Sequence, residues 1–139
     1  MEKELISELN KLKDEVEELL DRANTVASDF VLIEDEKLEK LEEQKLYKLL
    51  DSEFIEFKNE IEEVQNNFNF ENAFNLYKIF SEKVEFITSD ISMAEAISEG
   101  NIEDELFVYN YIKIAFCLKD LDLMLENFDI LTNKLSKII

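Results

Sequence analysis

Glu53, Glu56, Glu60 and Glu63 follow one another at steps of three, four and three. On an α-helix that spacing sets four carboxylates along one line. The line spans about 15 Å at the helical rise. A DNA strand places one phosphate about every 3.4 Å along its axis, so the two charge densities are comparable. The chemistry open to such a row is recognition: it imitates a polynucleotide backbone and enters a basic cleft built for nucleic acid, releasing the same counterions. Phe54, Phe57, Ile61 and Val64 form an apolar stripe beside the row, while Lys58 falls with Glu62 on the opposite face and cannot neutralise it. Asp51 and Glu62 are expected to support the contact. The like-charge pair Glu56–Glu60, at i,i+4, works against helix stability. The competing interpretation is a solvated face, or acids beside a seam that meet lysines of a neighbouring helix.

Other spacings point elsewhere. Glu60-x-x-Glu63 followed by Glu82-x-x-Glu85, together with Asp14-Glu15-Val16-Glu17-Glu18-Leu19, resembles the all-helical nucleotide pyrophosphohydrolases, in which an ExxE and a later ExxD bind magnesium. The resemblance implies Mg²⁺-dependent nucleotide hydrolysis, but the terminal aspartate is missing after either pair. Asp120-x-Asp122 lacks the central glycine and the further oxygen ligands of an EF-hand loop. Phe68, Phe70, Phe74, Tyr77 and Phe80 read as core before they read as a partner surface. Cys117, inside Ile114-Ala115-Phe116-Cys117-Leu118, reads as a small buried hydrophobe with no base nearby to activate it. Ile55 falls opposite the Phe54–Val64 stripe and is expected as an exposed apolar contact or as part of a second interface.

What the chain lacks removes whole classes of chemistry. It has no histidine, no tryptophan, no proline, one cysteine and one glycine, Gly100. Phosphate-cradling loops and nucleophile elbows need at least two glycines. Ser-His-Asp and Cys-His machinery, zinc helices and Glu-x-x-His di-iron sites need histidine. A lone cysteine builds neither a zinc finger nor an intramolecular disulfide. The chain is therefore expected to be no enzyme and to hold no cofactor or metal. With 34 acids against 15 bases its formal charge is −19, which argues against direct contact with nucleic acid or with anionic membranes.

The elements that would position the glutamates are helical throughout. Leu5, Leu9, Leu12, Val16, Leu19, Ala23, Val26 and Phe30 alternate steps of four and three, a heptad seam within one helix over residues 3–28. Ile6, Leu20 and Ala27 widen it, which favours a bundle over a two-stranded coil. Lys11–Glu15 and Glu18–Arg22 are expected as i,i+4 ion pairs. Residues 30–33 form an apolar connection, with Asp29 or Asp35 as a cap. Helical periodicity resumes over residues 35–66, with a second start at Asp51-Ser52. Asn66 to Asn69 is a turn, and Asn69 caps a helix running to Ile87. Thr88-Ser89-Asp90 opens a short helix closed by Gly100. Asn101 and Asp104 resemble a capping pair for the final stretch, whose apolar register changes near Lys119-Asp120 and implies a kink, a stutter or a helix break.

The fold expected is all-α, an irregular antiparallel bundle of five or six helices with a long N-terminal helix, in one acidic domain over residues 1–139. A chain this size can bury roughly two-thirds of its unfolded surface. Its longest apolar run, Leu106 to Leu118, is too short and too interrupted to span a bilayer. Acids at Glu2 and Glu4 stand where a signal peptide would be basic, so a cytoplasmic location is expected. Charge is uneven: residues 1–50 hold 15 acids and 8 bases, residues 51–100 hold 12 and 3, and residues 101–139 hold 7 and 4. The middle third, which carries the glutamate row, is the least compensated. In size, acidity and lack of catalytic apparatus the chain resembles phage anti-restriction and anti-CRISPR proteins, which implies an inhibitor that occupies the basic groove of a nucleic-acid-binding protein in a bacterium or phage-infected host. A helical adaptor, or a homodimer paired through the residue 5–30 seam, is the alternative.

Overall fold

The computed structural model describes residues 2–29, 41–99 and 104–138. Among the described residues all regular structure is α-helical, in four helices: α1 (Glu2–Asp29), α2 (Leu41–Asn66), α3 (Phe70–Glu99) and α4 (Asp104–Ile138). The five or six helices expected become four because three anticipated breaks are absent. α2 runs through Asp51-Ser52, α3 through Thr88-Ser89-Asp90 and α4 through Lys119-Asp120. Residues 30–33, Asp35, Gly100 and Asn101 lie outside the described residues.

Two of the three polar runs, Thr88-Ser89-Asp90 and Lys119-Asp120, hold residues with another employment. Thr88 Oγ1 donates to the Val84 carbonyl at 2.6 Å, satisfying its hydroxyl within the helix. Asp90 meets Lys113 of α4 at 3.4 Å, and Asp120 meets Lys83 of α3 at 3.6 Å. These aspartates join helices rather than start them. In α4 the apparent change of register is a second face. Ile114, Cys117, Leu121, Met124, Phe128, Leu131 and Leu135 make one unbroken alternation of three and four, all buried. Ile112 and Phe116 belong instead to a separate cluster with Leu46, Leu50 and Phe54 of α2. The expected cap at Asn69 is present: the Asn72 N–H donates to Asn69 Oδ1 at 2.8 Å.

The helices alternate in direction. Lys83–Asp120 and Asp90–Lys113 run in opposite order along α3 and α4, so these two are antiparallel, and Lys13 of α1 pairs with Asp129 of α4 at 3.1 Å. Arg22 reaches Glu95 and Tyr77 reaches Glu8 at 3.4 Å, so α1 and α3 are parallel. Arg22 therefore pairs across helices instead of with Glu18, and Lys11 turns to Glu8 at 3.4 Å instead of Glu15. Leu5, Leu9, Leu12, Val16, Leu19, Ala23 and Val26 are all buried, so the heptad seam of α1 is taken up inside the molecule against α3 and α4.

α2 lies on the outside of the α3–α4 pair. Its second half joins the main core through Phe57 and Ile61. There Phe80 stands edge-on to Phe57 and to Phe128, with centroids 5.7 and 5.4 Å away, tying α2, α3 and α4 together. Lys134 of α4 donates to the Gln65 carbonyl at 3.0 Å, placing a cation at the negative C-terminal end of α2. The first half of α2 packs on α4 through the small cluster around Ile112 and Phe116. No described helix is long and apolar enough to cross a membrane.

Candidate protein-binding face

The glutamate row is built by the packing of α2. Phe57 and Ile61 are buried, with Phe54 and Val64 half-buried on the same side. That anchors the helix with one flank turned outward. Glu53, Glu56 and Glu63 are exposed and Glu60 is half-buried. None of the four makes a salt bridge or a side-chain hydrogen bond among the described residues.

The destination of the cations explains why. Lys13, Arg22, Lys83 and Lys113 pair with Asp129, Glu95, Asp120 and Asp90 at interfaces among α1, α3 and α4. Lys78, Lys119 and Lys134 lie over the rings of Phe74, Phe116 and Phe68 at 4.6, 4.8 and 5.4 Å. Lys83 and Lys119 also lie over the Phe57 and Phe54 rings of α2, at 4.6 and 5.7 Å, but among the described residues no base forms an ion pair with a glutamate of the row.

The two supporting acids are placed differently from the row. Glu62 lies with Lys58 on the α4 side, lining a shallow depression with Leu123, Glu126, Asn127 and Ile130. Glu53 lies on the α3 side of the same helix. Asp51 is half-buried and, two residues before Glu53, falls about 160° from it around the helix. Asp51 and Glu62 therefore lie off the line of the four glutamates. Ile55 is exposed as expected, at 50%. Phe80 is buried, Phe68, Phe70 and Tyr77 are half-buried, and Phe74 is 38% exposed, so the aromatic stripe divides between core and surface.

Periodicity on α2 alone could not show what α3 adds. Between the first half of α2 and α3 runs an open groove of about 460 Å³, with α4 as its floor. Glu53 and Leu50 form one wall, and Ile79, Glu82, Lys83, Phe86, Ile87 and Asp90 the other. Lys113, Phe116, Cys117 and Asp120 lie beneath. Phe86 stands at the edge, 71% exposed. A signal for it existed: Phe86 falls off the three-four alternation of Phe80, Ile87, Ile91 and Ala94.

Two titratable groups sit deep in this groove. Burial pushes the Cys117 thiol up to about 12, reinforced by the nearby Asp90 and Asp120. It is buried and protonated, which is the inert state expected of it. Burial also raises the Asp120 carboxyl above its ordinary value, opposed by Lys83 and assisted by Glu53. Asp120 Oδ1 is buried with no hydrogen-bond partner among the described residues. Among the described residues no three acidic or thiol side chains are grouped to hold a metal ion, so Glu60-x-x-Glu63 and Glu82-x-x-Glu85 are not gathered into a magnesium cluster. No family model, curated protein or solved structure matches this chain.

Proposed function

We propose that this protein is an acidic inhibitor that binds the basic nucleic-acid groove of a target protein, with Glu53, Glu56, Glu60 and Glu63 standing in for a run of phosphates. The observation that carries the proposal is that these glutamates have no ion-pair partner among the described residues, while the interhelical ion pairs lie among α1, α3 and α4. A row without internal cations offers its full charge to an external one, and the net charge of −19 speeds the encounter with a basic partner. Ion pairs with lysines of a neighbouring helix would count against this proposal; Lys83 and Lys119 approach α2 over Phe57 and Phe54, and no described lysine pairs with the row itself. The adaptor alternative has no corresponding support, because the α1 seam it would use is filled by α3 and α4.

The experiment is capture of the target on immobilised protein, followed by elution with duplex DNA, with RNA and with a salt gradient. A mimic is displaced by one of the nucleic acids and shows a steep loss of affinity with salt. The quadruple variant Glu53→Gln, Glu56→Gln, Glu60→Gln, Glu63→Gln should lose at least tenfold in affinity and most of the salt slope. An unchanged affinity and slope in that variant would reject the row.

A further inference from the structure

We propose that the groove between the first half of α2 and α3 seats an amphipathic helical segment of a partner protein, one whose apolar stripe is flanked by lysine or arginine. The inference deepens the assignment of the α2 face to a basic protein and rests on it for the partner's charge. It adds an apolar anchor that a phosphate mimic alone does not need.

Three features of the groove define the occupant. Its lining mixes apolar side chains, Leu50, Ile79 and Ile87 on the walls and Phe116 and Cys117 on the floor, with the paired charges of Lys83, Asp120, Lys113 and Asp90, and its 460 Å³ fall within the range that accepts the anchoring side chains of a ligand. Its length suits a helix: Ile79 to Asp90 of α3 covers eleven residue steps, about 16 Å, or about three turns of a helix laid alongside. Its rim is anionic on both sides. Lys83 and Lys113, the two cations within it, are already paired with Asp120 and Asp90. Glu53 on the α2 lip and Glu82 on the α3 lip have no such partner among the described residues.

Charge decides against a second copy of this chain as occupant. Two copies meeting at the groove would set Glu53 and Glu82 against themselves within a pair of molecules of −19 each. A segment carrying lysine or arginine on each side of its apolar stripe meets both lips favourably. Phe86, 71% exposed at the edge, would be covered by such a segment, and aromatic anchors of this kind dominate binding energy.

The probe is a fluorescein-labelled peptide of about 15 residues made of leucine and lysine, with leucines at i, i+3, i+4 and i+7, compared with a scrambled peptide of identical composition. Both carry the same charge, and only the first has an apolar face. By anisotropy titration the amphipathic peptide should bind at least tenfold more tightly than the scrambled one. Phe86→Ser should remove that preference, whereas Ile130→Ser, at an exposed site outside the groove, should leave it intact. Phe86 is outside the core, so thermal melting of Phe86→Ser is expected to match the parent and confirms that the variant is folded. Equal affinity for the two peptides, or a preference that survives Phe86→Ser, overturns the groove. So does a dimer in sedimentation that Phe86→Ser converts to monomer, which would assign the face to a second copy. The acidic row is judged separately, by the salt dependence of target binding in the variant Glu56→Gln, Glu60→Gln, Glu63→Gln, which leaves Glu53 and Glu82 on the groove lips, so either assignment can fail without the other.

Discussion

Asp120 shows how one residue can carry opposing demands. Its carboxylate is held 3.6 Å from Lys83, yet it lies mostly out of water with one oxygen unpaired, and burial outweighs the lysine in setting its proton affinity. A carboxyl whose folded value is raised binds its proton more tightly in the native state than in the unfolded chain. Its contribution to stability is therefore present at low pH and lost as pH rises through the raised value. The difference in unfolding free energy between the parent and Asp120→Asn should thus shift against the parent between pH 4 and pH 7, measured by urea denaturation at each pH. A difference that grows in the parent's favour over that range would mean that Lys83 dominates. Phe80 makes a simpler demand: it is buried between Phe57 and Phe128, and Phe80→Ala should cost about 3–5 kcal/mol in the same assay.

At the scale of the element, α2 combines two roles that pull apart. Its inner face anchors it to the bundle, and its outer flank accepts like charges at i,i+3 and i,i+4, each pair unfavourable by about 0.2–0.5 kcal/mol. The quadruple glutamine variant should therefore be more stable than the parent, by about 1 kcal/mol, while binding less well. A calorimetric Tm that rises as affinity falls separates a functional row from an ordinary solvated face. The anchoring is also uneven along α2. Phe57 and Ile61 reach the main core, whereas Leu46, Leu50 and Phe54 pack against the small cluster at Ile112 and Phe116. Amide hydrogen exchange should be faster in residues 45–55 than in residues 57–64 and in the buried seam of α1. Uniform protection along α2 would contradict this.

For the whole molecule, the decisive fact is where the bases go. A charge of −19 works against compaction, and the ion pairs that join α1, α3 and α4 relieve it locally while leaving α2 exposed to its own repulsion. Raising ionic strength from about 10 to about 150 mM shortens the screening length from about 30 to about 8 Å. Surface pairs such as Lys13–Asp129 are worth little and lose little by this. The melting temperature should rise by about 4 °C, the equivalent of about 1 kcal/mol for a chain of this size. A flat or falling profile would show that the acids are compensated after all, and would weaken the mimic with it.

Much of this was determined by the order of residues alone. The α1 seam from Leu5 to Val26, the cap at Asn69, the burial of Cys117 and the outward flank of Glu53, Glu56 and Glu63 all follow from helical period and side-chain type, which are local properties. Helix number was not local. Thr88, Asp90 and Asp120 look like boundaries in sequence because polar residues cap helices. Their partners at Val84, Lys113 and Lys83 make them interior, and two of those partners arrive from another helix. The same holds for Arg22, drawn from Glu18 to Glu95. The groove is the clearest case of what tertiary structure alone decides. It exists because α2 leans on α4 over its first half and leaves the flank of α3 open, a matter of relative placement that no single helix encodes.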